Sequence, residues 1–374
     1  MKYALTGLSL VVAVGFDQQT SAADFSQSTA GAVFAMTNRA ANNQVVAFRR
    51  AADGTLTEAK AYSTGGNGIG VDFDTQGGLT LHADHRYLYA CNPGSDDVTV
   101  FAVNGVRLTQ IQKVAAGDQP LSITFSGRLA YVLDGSVAGN GVTGFTVGAD
   151  GKLSPIPDSF RDLSSPIAVP GEVLFSPDGR NVIVTGKVGS IIDVFNVRSD
   201  GRLSKPEQNA SFGLRPFAAA FRNDGHLLVL ESGLPTPNNA GVSSYDLLRP
   251  GGTLEVITGS EKNGQTDGCW IVITNDQAYA YTANFVSGTI SSYSLDSDGT
   301  VTLINGSAAF SGLTSQPTDL AFDTDSRYLY NLLRGTGGVA GYRVEANGIL
   351  TFLGVFGVGG ALPIADGASG LAAY

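Results

Sequence analysis

Glu172 and Asp319 each stand three residues ahead of a phenylalanine, Phe175 and Phe322, in two short apolar segments of the same pattern. A carboxylate at the start of such a segment serves as a general base or acid once burial lifts its pKa towards neutrality. Hydrogen bonding at a strand start, or pairing with a neighbour, would use the same residue structurally. Six residues ahead of equivalent positions stand Gln119, Arg215, Asp267 and Gln316. Arg215 carries the planar fork that grips a carboxylate or enolate through two hydrogen bonds. A structural pair with Asp267 or Glu172 would occupy that fork equally well. Trp270, the single tryptophan, offers a pocket wall for a flat or hydrophobic ligand, or plain apolar packing. Asn92, Glu231, Asn284 and Arg334 fall where a second apolar segment ends, although such asparagines more often fasten turns. Glu172, Arg215 and Asp319 are therefore the catalytic candidates. Trp270, Gln119, Gln316, Glu231, Asn284 and Arg334 are the candidates for substrate binding.

These residues need a frame, and a repeat supplies it. One phrase recurs: an apolar segment ending in Phe or its equivalent, a turn, and a second apolar segment. Its copies include Leu79–Asn92, Ser122–Asp134, Val173–Gly186, Ala219–Ser232, Ile271–Asn284 and Leu320–Leu333. A third strand follows, such as Val98–Val103, then an Asp-Gly-type turn such as Asp200-Gly201 and a fourth strand. The anchors Leu81, Phe125, Phe175, Phe221, Ile273, Phe322 and Tyr374 succeed one another at intervals of 44 to 52 residues. Four strands at that period make one propeller blade, which is stable only between neighbours. The first blade, from Gly31–Asn38 onward, lacks an inner strand, and Gly370–Tyr374 is an inner strand with nothing after it. The C-terminal strand therefore completes the first blade and closes the ring. The expected fold is all-β: a single seven-bladed β-propeller with four antiparallel strands per blade, spanning 23–374. Two irregular insertions, Gly233–Ala240 and Asp158–Pro170, interrupt the pattern.

The whole chain from residue 31 resembles the lactonase-like propellers, the family of bacterial 6-phosphogluconolactonase and fungal carboxymuconate cyclase. Phe175-Ser176-Pro177-Asp178-Gly179-Arg180, Val98-Thr99-Val100-Phe101 and Cys269-Trp270-Ile271-Val272 carry the resemblance. That family places a histidine three residues before the anchor, in a Gly-Pro-Arg-His phrase. Here the register holds Gly78, Ser122, Glu172, Ala218, Trp270, Asp319 and Leu371, and the nearest phrase is Leu214-Arg215-Pro216-Phe217-Ala218. Glu172 and Asp319 thus stand where the family has its histidine. The fold implies that loops entering the inner strands, with those joining second to third strands, converge on a ligand-binding channel mouth. His82, His85 and His226 sit instead at turns after inner strands, near Asp84 and Asp224. They read as turn and surface residues, since a His82–His85 metal pair has no third ligand nearby. Cys91 and Cys269 fall in blades two and six, across the ring, and are expected as free thiols. No Ser-His-Asp set, phosphate loop or dinucleotide fingerprint occurs, and no metal or cofactor is expected.

A net charge of −10 repels phosphate backbones and anionic lipid, so neither nucleic acid nor membrane is an expected partner. The 49 glycines suit a chain that reverses direction every few residues. Lys2, the apolar run Tyr3–Phe16 and Thr20-Ser21-Ala22 read as a secretory signal peptide over residues 1–22. Asn209-Ala210-Ser211 and Asn305-Gly306-Ser307 are glycosylation sequons compatible with secretion. Three functions fit. The first is a lactonase or cycloisomerase acting on an organic or polyketide-like substrate at the channel mouth. The second is a cyclase of fungal secondary metabolism, steering dehydration and cycloaddition of a reactive intermediate. The third is a secreted binding propeller without catalysis.

Overall fold

In the computed structural model, residue 1 and residues 30–71, 74–137, 139–364 and 366–374 are described. The expected leader therefore lies, apart from Met1, outside the described residues. Seven antiparallel sheets follow one another around a ring, and six of them run in chain order from the inner strand outward. The inner strands of blades two to seven are Leu79–Leu81, Pro120–Ser126, Pro170–Phe175, Pro216–Phe221, Gly268–Ile273 and Pro317–Phe322. The seventh sheet joins both ends of the chain: Leu371–Ala373 pairs with Gly31–Met36, with Phe34 opposite Ala372. Around this junction Arg50, buried, donates to the carbonyl of Tyr374 at 3.1 Å and that of Ala30 at 3.0 Å, and lies 3.6 Å from Asp323 of blade seven.

The Asp-Gly turns do more than reverse the chain. Tyrosines on second strands reach across to the outer turn of the next blade and donate to a glycine carbonyl there. Tyr89 meets Gly151 at 2.7 Å, Tyr131 meets Gly201 at 2.8 Å, Tyr281 meets Gly348 at 2.8 Å and Tyr330 meets Gly54 at 2.9 Å. These glycines have φ of 76° to 85°, a conformation that disfavours a side chain. A buried phenol needs a partner, so each tie fixes the distance between adjacent sheets while apolar faces fill the gap.

One expectation is modified in blade three. The insertion around Asp158–Pro170 contains a short strand, Arg161–Asp162, that pairs with Gly141 and Val142. The outer strand of that blade is therefore split. Ser159 fills the break by bonding both the N–H and the carbonyl of Gly144.

The approach to the inner strands is equally regular. Gln119, Val169, Arg215, Asp267 and Gln316 share left-handed backbone, with φ between 48° and 62°. In each case the carbonyl accepts an N–H from the residue after the second strand: Gly135, Lys187, Ser232, Phe285 and Arg334. A bulge follows near the start of each of these inner strands. Valine in this conformation is costly because its branched Cβ crowds the backbone. Val169 is also exposed and buries little on folding. Val169→Gly is accordingly expected to raise stability by about 1 kcal/mol, read as a higher denaturation midpoint at unchanged m-value.

Candidate functional site

Glu172 follows the bulge in Pro170–Phe175, which turns its side chain towards the neighbouring inner strand. One carboxylate oxygen accepts the N–H of Ala219 in blade five at 2.7 Å. The other accepts from the Gln76 amide at 3.1 Å. Burial dominates these two donors, and with the negative charge of Asp319 it pushes Glu172 up to about 8. Asp319 makes the equivalent tie, accepting the N–H of Gly370 at 2.8 Å. Ser122 does the same with Val173 at 3.3 Å. At Glu172, Asp319 and Ser122 the register three residues before the anchor is thus a strap between adjacent inner strands. Glu172 is set apart from Asp319 and Ser122 by the open space beside it.

That second contact was not legible in the repeat. Gln76 lies in the segment leading to Leu79–Leu81, and its backbone N–H reaches the carbonyl of Gly171 at 3.0 Å. Its side-chain amide also accepts the N–H of Ile271 at 3.0 Å and donates to the Ile271 carbonyl at 3.2 Å. One glutamine therefore links blades two, four and six across the channel. Beside it Asp74 binds the ammonium of Lys187 at 2.6 Å, and that buried ammonium lies 4.4 Å from the Phe217 ring centroid. Cys269, bonded to Asp267, is buried next to this group, and burial holds its thiol well above the usual range. Both cysteines are free, as expected. Gly77, the residue after Gln76, has φ of 85°, and a Cβ there would lie 2.7 Å from Ser122 Oγ.

Gln76 therefore bridges the channel on the side of the expected ligand-binding mouth. Open space lies on the other side. A cavity of about 450 Å³ runs from Gly77 and Glu172 to His82, Ala83 and Gly127, at turns between first and second strands. Its walls are Leu81, Ile123, Phe125, Val173 and Leu174, with Thr80 and Thr124 among them. Glu172 is the one carboxylate lining it among the described residues. His82, expected on a remote face, stands at its opening, 2.9 Å from Asp84 and edge-on to Phe125 at 5.7 Å. A second cavity, of about 380 Å³, adjoins it through His82 and Gly127 and carries Arg86 and Arg128. His85 points away and stacks on Tyr374 at 5.1 Å, so the two histidines diverge. His226 is held between Asp224 and Asp246 in blade five.

The remaining candidates do not gather at this cavity. Arg215, Gln119 and Gln316 occupy the left-handed approach turns, and the Arg215 Nε is buried without a hydrogen bond among the described residues. Trp270 is buried against Phe217, ring centroids 5.1 Å apart. Glu231 is enclosed by Ser243, Ser260 and the N–H of Gly213, and burial pushes it up to about 7. Asn284 bonds Thr289, Ser291 and Asn263. Both are fastenings between the end of a second strand and its surroundings. Arg334 stacks over Phe285 at 5.4 Å.

Comparison with known proteins agrees with this architecture. The family model "Lactonase, 7-bladed beta-propeller" matches residues 71–169 and 229–312. No curated protein matches the chain. Among solved structures, the periplasmic gluconolactonase of Pseudomonas aeruginosa is similar at TM-score 0.69 and 18% identity, covering 92% of this chain and 98% of that one. A protein from Lactobacillus plantarum gives 0.73 at 16% identity, covering 92% and 99%. A candidate 6-phosphogluconolactonase of Bacteroides uniformis gives 0.71 at 16%, covering 92% and 99%. At such identities the likeness is one of fold.

Proposed function

We propose, from the seven-bladed fold and the likeness of residues 71–169 and 229–312 to the lactonase propellers, that this chain is a small-molecule enzyme of the lactonase or cycloisomerase type, working in the cavity beside Glu172. The observation that carries the reading is the meeting of one carboxyl group, raised to about 8, with open space inside the ring. Such a group exchanges protons efficiently near neutral pH. In lactone hydrolysis the ionised carboxylate draws a proton from the attacking water as its oxygen bonds to the carbonyl carbon. The same proton then passes to the ring oxygen as the ester C–O bond breaks. His82 and the adjoining Arg86 and Arg128 face the polar end of a substrate, and the Phe125, Leu81 and Leu174 side chains face its carbon skeleton. An organic or polyketide-like substrate fits this division. The apolar walls also favour a second reading, in which the cavity folds a reactive intermediate for dehydration and cyclisation.

The location is tested by obstruction. Leu174→Trp fills the cavity and is expected to reduce lactone turnover at least tenfold, while Arg215→Ala leaves it within about twofold. These thresholds follow from a group's presence in or absence from the transition state. Steady-state kinetics on a panel of lactones checks both. The reverse outcome, Arg215→Ala inactive and Leu174→Trp active, places the chemistry at the opposite mouth and overturns the assignment.

A further inference from the structure

The two glycosylation sequons lie in very different surroundings. Asn209 sits in the outer strand Glu207–Ala210 and is buried. Its amide donates to the carbonyl of Gly252 at 3.0 Å and accepts the N–H of Leu254 at 2.8 Å, both in blade five. A glycan on that nitrogen would remove a donor from a buried tie between two blades and would have no room. Asn305 is exposed on Val301–Phe310, the outermost strand of blade six. Pairing runs from Ser292 opposite Asn305 to Ile290 opposite Ala309, so the strand bulges outward within the sequon itself. Ser291 pins the bulge through the Gly306 carbonyl at 2.7 Å. A Cβ on Gly306 would lie 2.2 Å from the Asn263 carbonyl oxygen, so the middle residue is held to glycine. The Asn305 oxygen accepts the N–H of Ser307 at 2.9 Å, which turns the sequon into a compact loop. The amide nitrogen has no protein partner among the described residues.

We infer that the chain is a secretory glycoprotein whose folded form carries one N-linked glycan, on Asn305, and none on Asn209. The leader read in residues 1–22 supplies the route. In the modification the Asn305 amide nitrogen bonds to the anomeric carbon of a lipid-linked oligosaccharide. The bond from that carbon to the lipid pyrophosphate breaks, the pyrophosphate leaves with the electron pair, and the amide loses one proton. The glycan would stand beside the exposed Ile304 and Phe310 on a sheet edge, where bulk blocks pairing with other chains.

The test is secretion of the full chain from a eukaryotic host, with intact mass measured before and after peptide N-glycosidase F. The wild type is expected to lose the mass of one glycan and to show deamidation at residue 305 alone. Ser307→Ala, which destroys the sequon and keeps Asn305, is expected to be insensitive to the enzyme. Ser211→Ala removes the other sequon without touching the Asn209 ties, and is expected to match the wild type. An unglycosylated or unsecreted wild type overturns the inference. So does glycan persisting in Ser307→Ala, or deamidation mapped to residue 209.

Discussion

Glu172→Gln is expected to lower lactone turnover by about 10²- to 10⁴-fold, the usual contribution of a positioned acid–base group. The amide keeps the shape of the side chain and can still accept the Ala219 N–H, so the ring is retained. It has no proton to exchange. The pH profile separates this loss from a structural one. With Glu172 as base, the active form is the ionised one, and the group titrates at about 8. The wild-type kcat/KM should therefore climb about tenfold per pH unit below that value and level off above it. In Glu172→Gln the residual rate should lose that limb. A variant that keeps the inflection near pH 8 while losing rate would show that another group does the proton transfer. Circular dichroism and melting at pH 7 check that the variant is folded.

Deleting Gly370–Tyr374 is expected to abolish cooperative folding. The deletion removes the inner strand of blade one, leaving Gly31–Met36 with an open edge. The N–H of Ala32 loses the Tyr374 carbonyl and the N–H of Met36 loses that of Gly370. Asp319 loses the Gly370 N–H, and Arg50 loses one of its two carbonyl acceptors inside the barrier between blades. Each buried group left unpaired costs about 1–3 kcal/mol, more when charged. Together these losses are comparable with the 5–15 kcal/mol that usually separates folded from unfolded chains. Thermal scans of the truncated chain should show no sharp transition. Tyr374 lies against Ala32, so a permuted chain with Gly370–Tyr374 joined ahead of Gly31 by a short turn should regain a cooperative melt. Failure of that rescue would mean the strand matters for something other than closing the sheet.

The architecture was legible because it is written seven times. Anchor, turn and Asp-Gly phrase recur in register, and the terminal half-blades match each other. Glu172 was legible for the same reason, since the repeat places it at the start of an inner strand. What the repeat hid is the work done at each register. Gln119, Arg215, Asp267 and Gln316 look like a ring of polar ligands, yet they share a backbone conformation with Val169. Nothing in their side chains announces it, because glycine, the usual marker, is absent from all five. Gln76 was invisible for a different reason. Its partners Glu172 and Ile271 are remote in sequence, and the segment that carries it has no counterpart in the other blades. His82 does lie at the turn after the inner strand, as read from the repeat, but the open cavity lies beside that turn.

The crossing by Gln76 also bears on how the enzyme would behave at work. With Gln76 bridging one end, the proposed reaction would exchange substrate and product through the turns around His82 and Gly127. Product lingering there would exclude the next substrate, so under the proposed reaction inhibition by accumulated hydroxy acid is expected to be competitive. Turnover would then be set as much by departure as by chemistry.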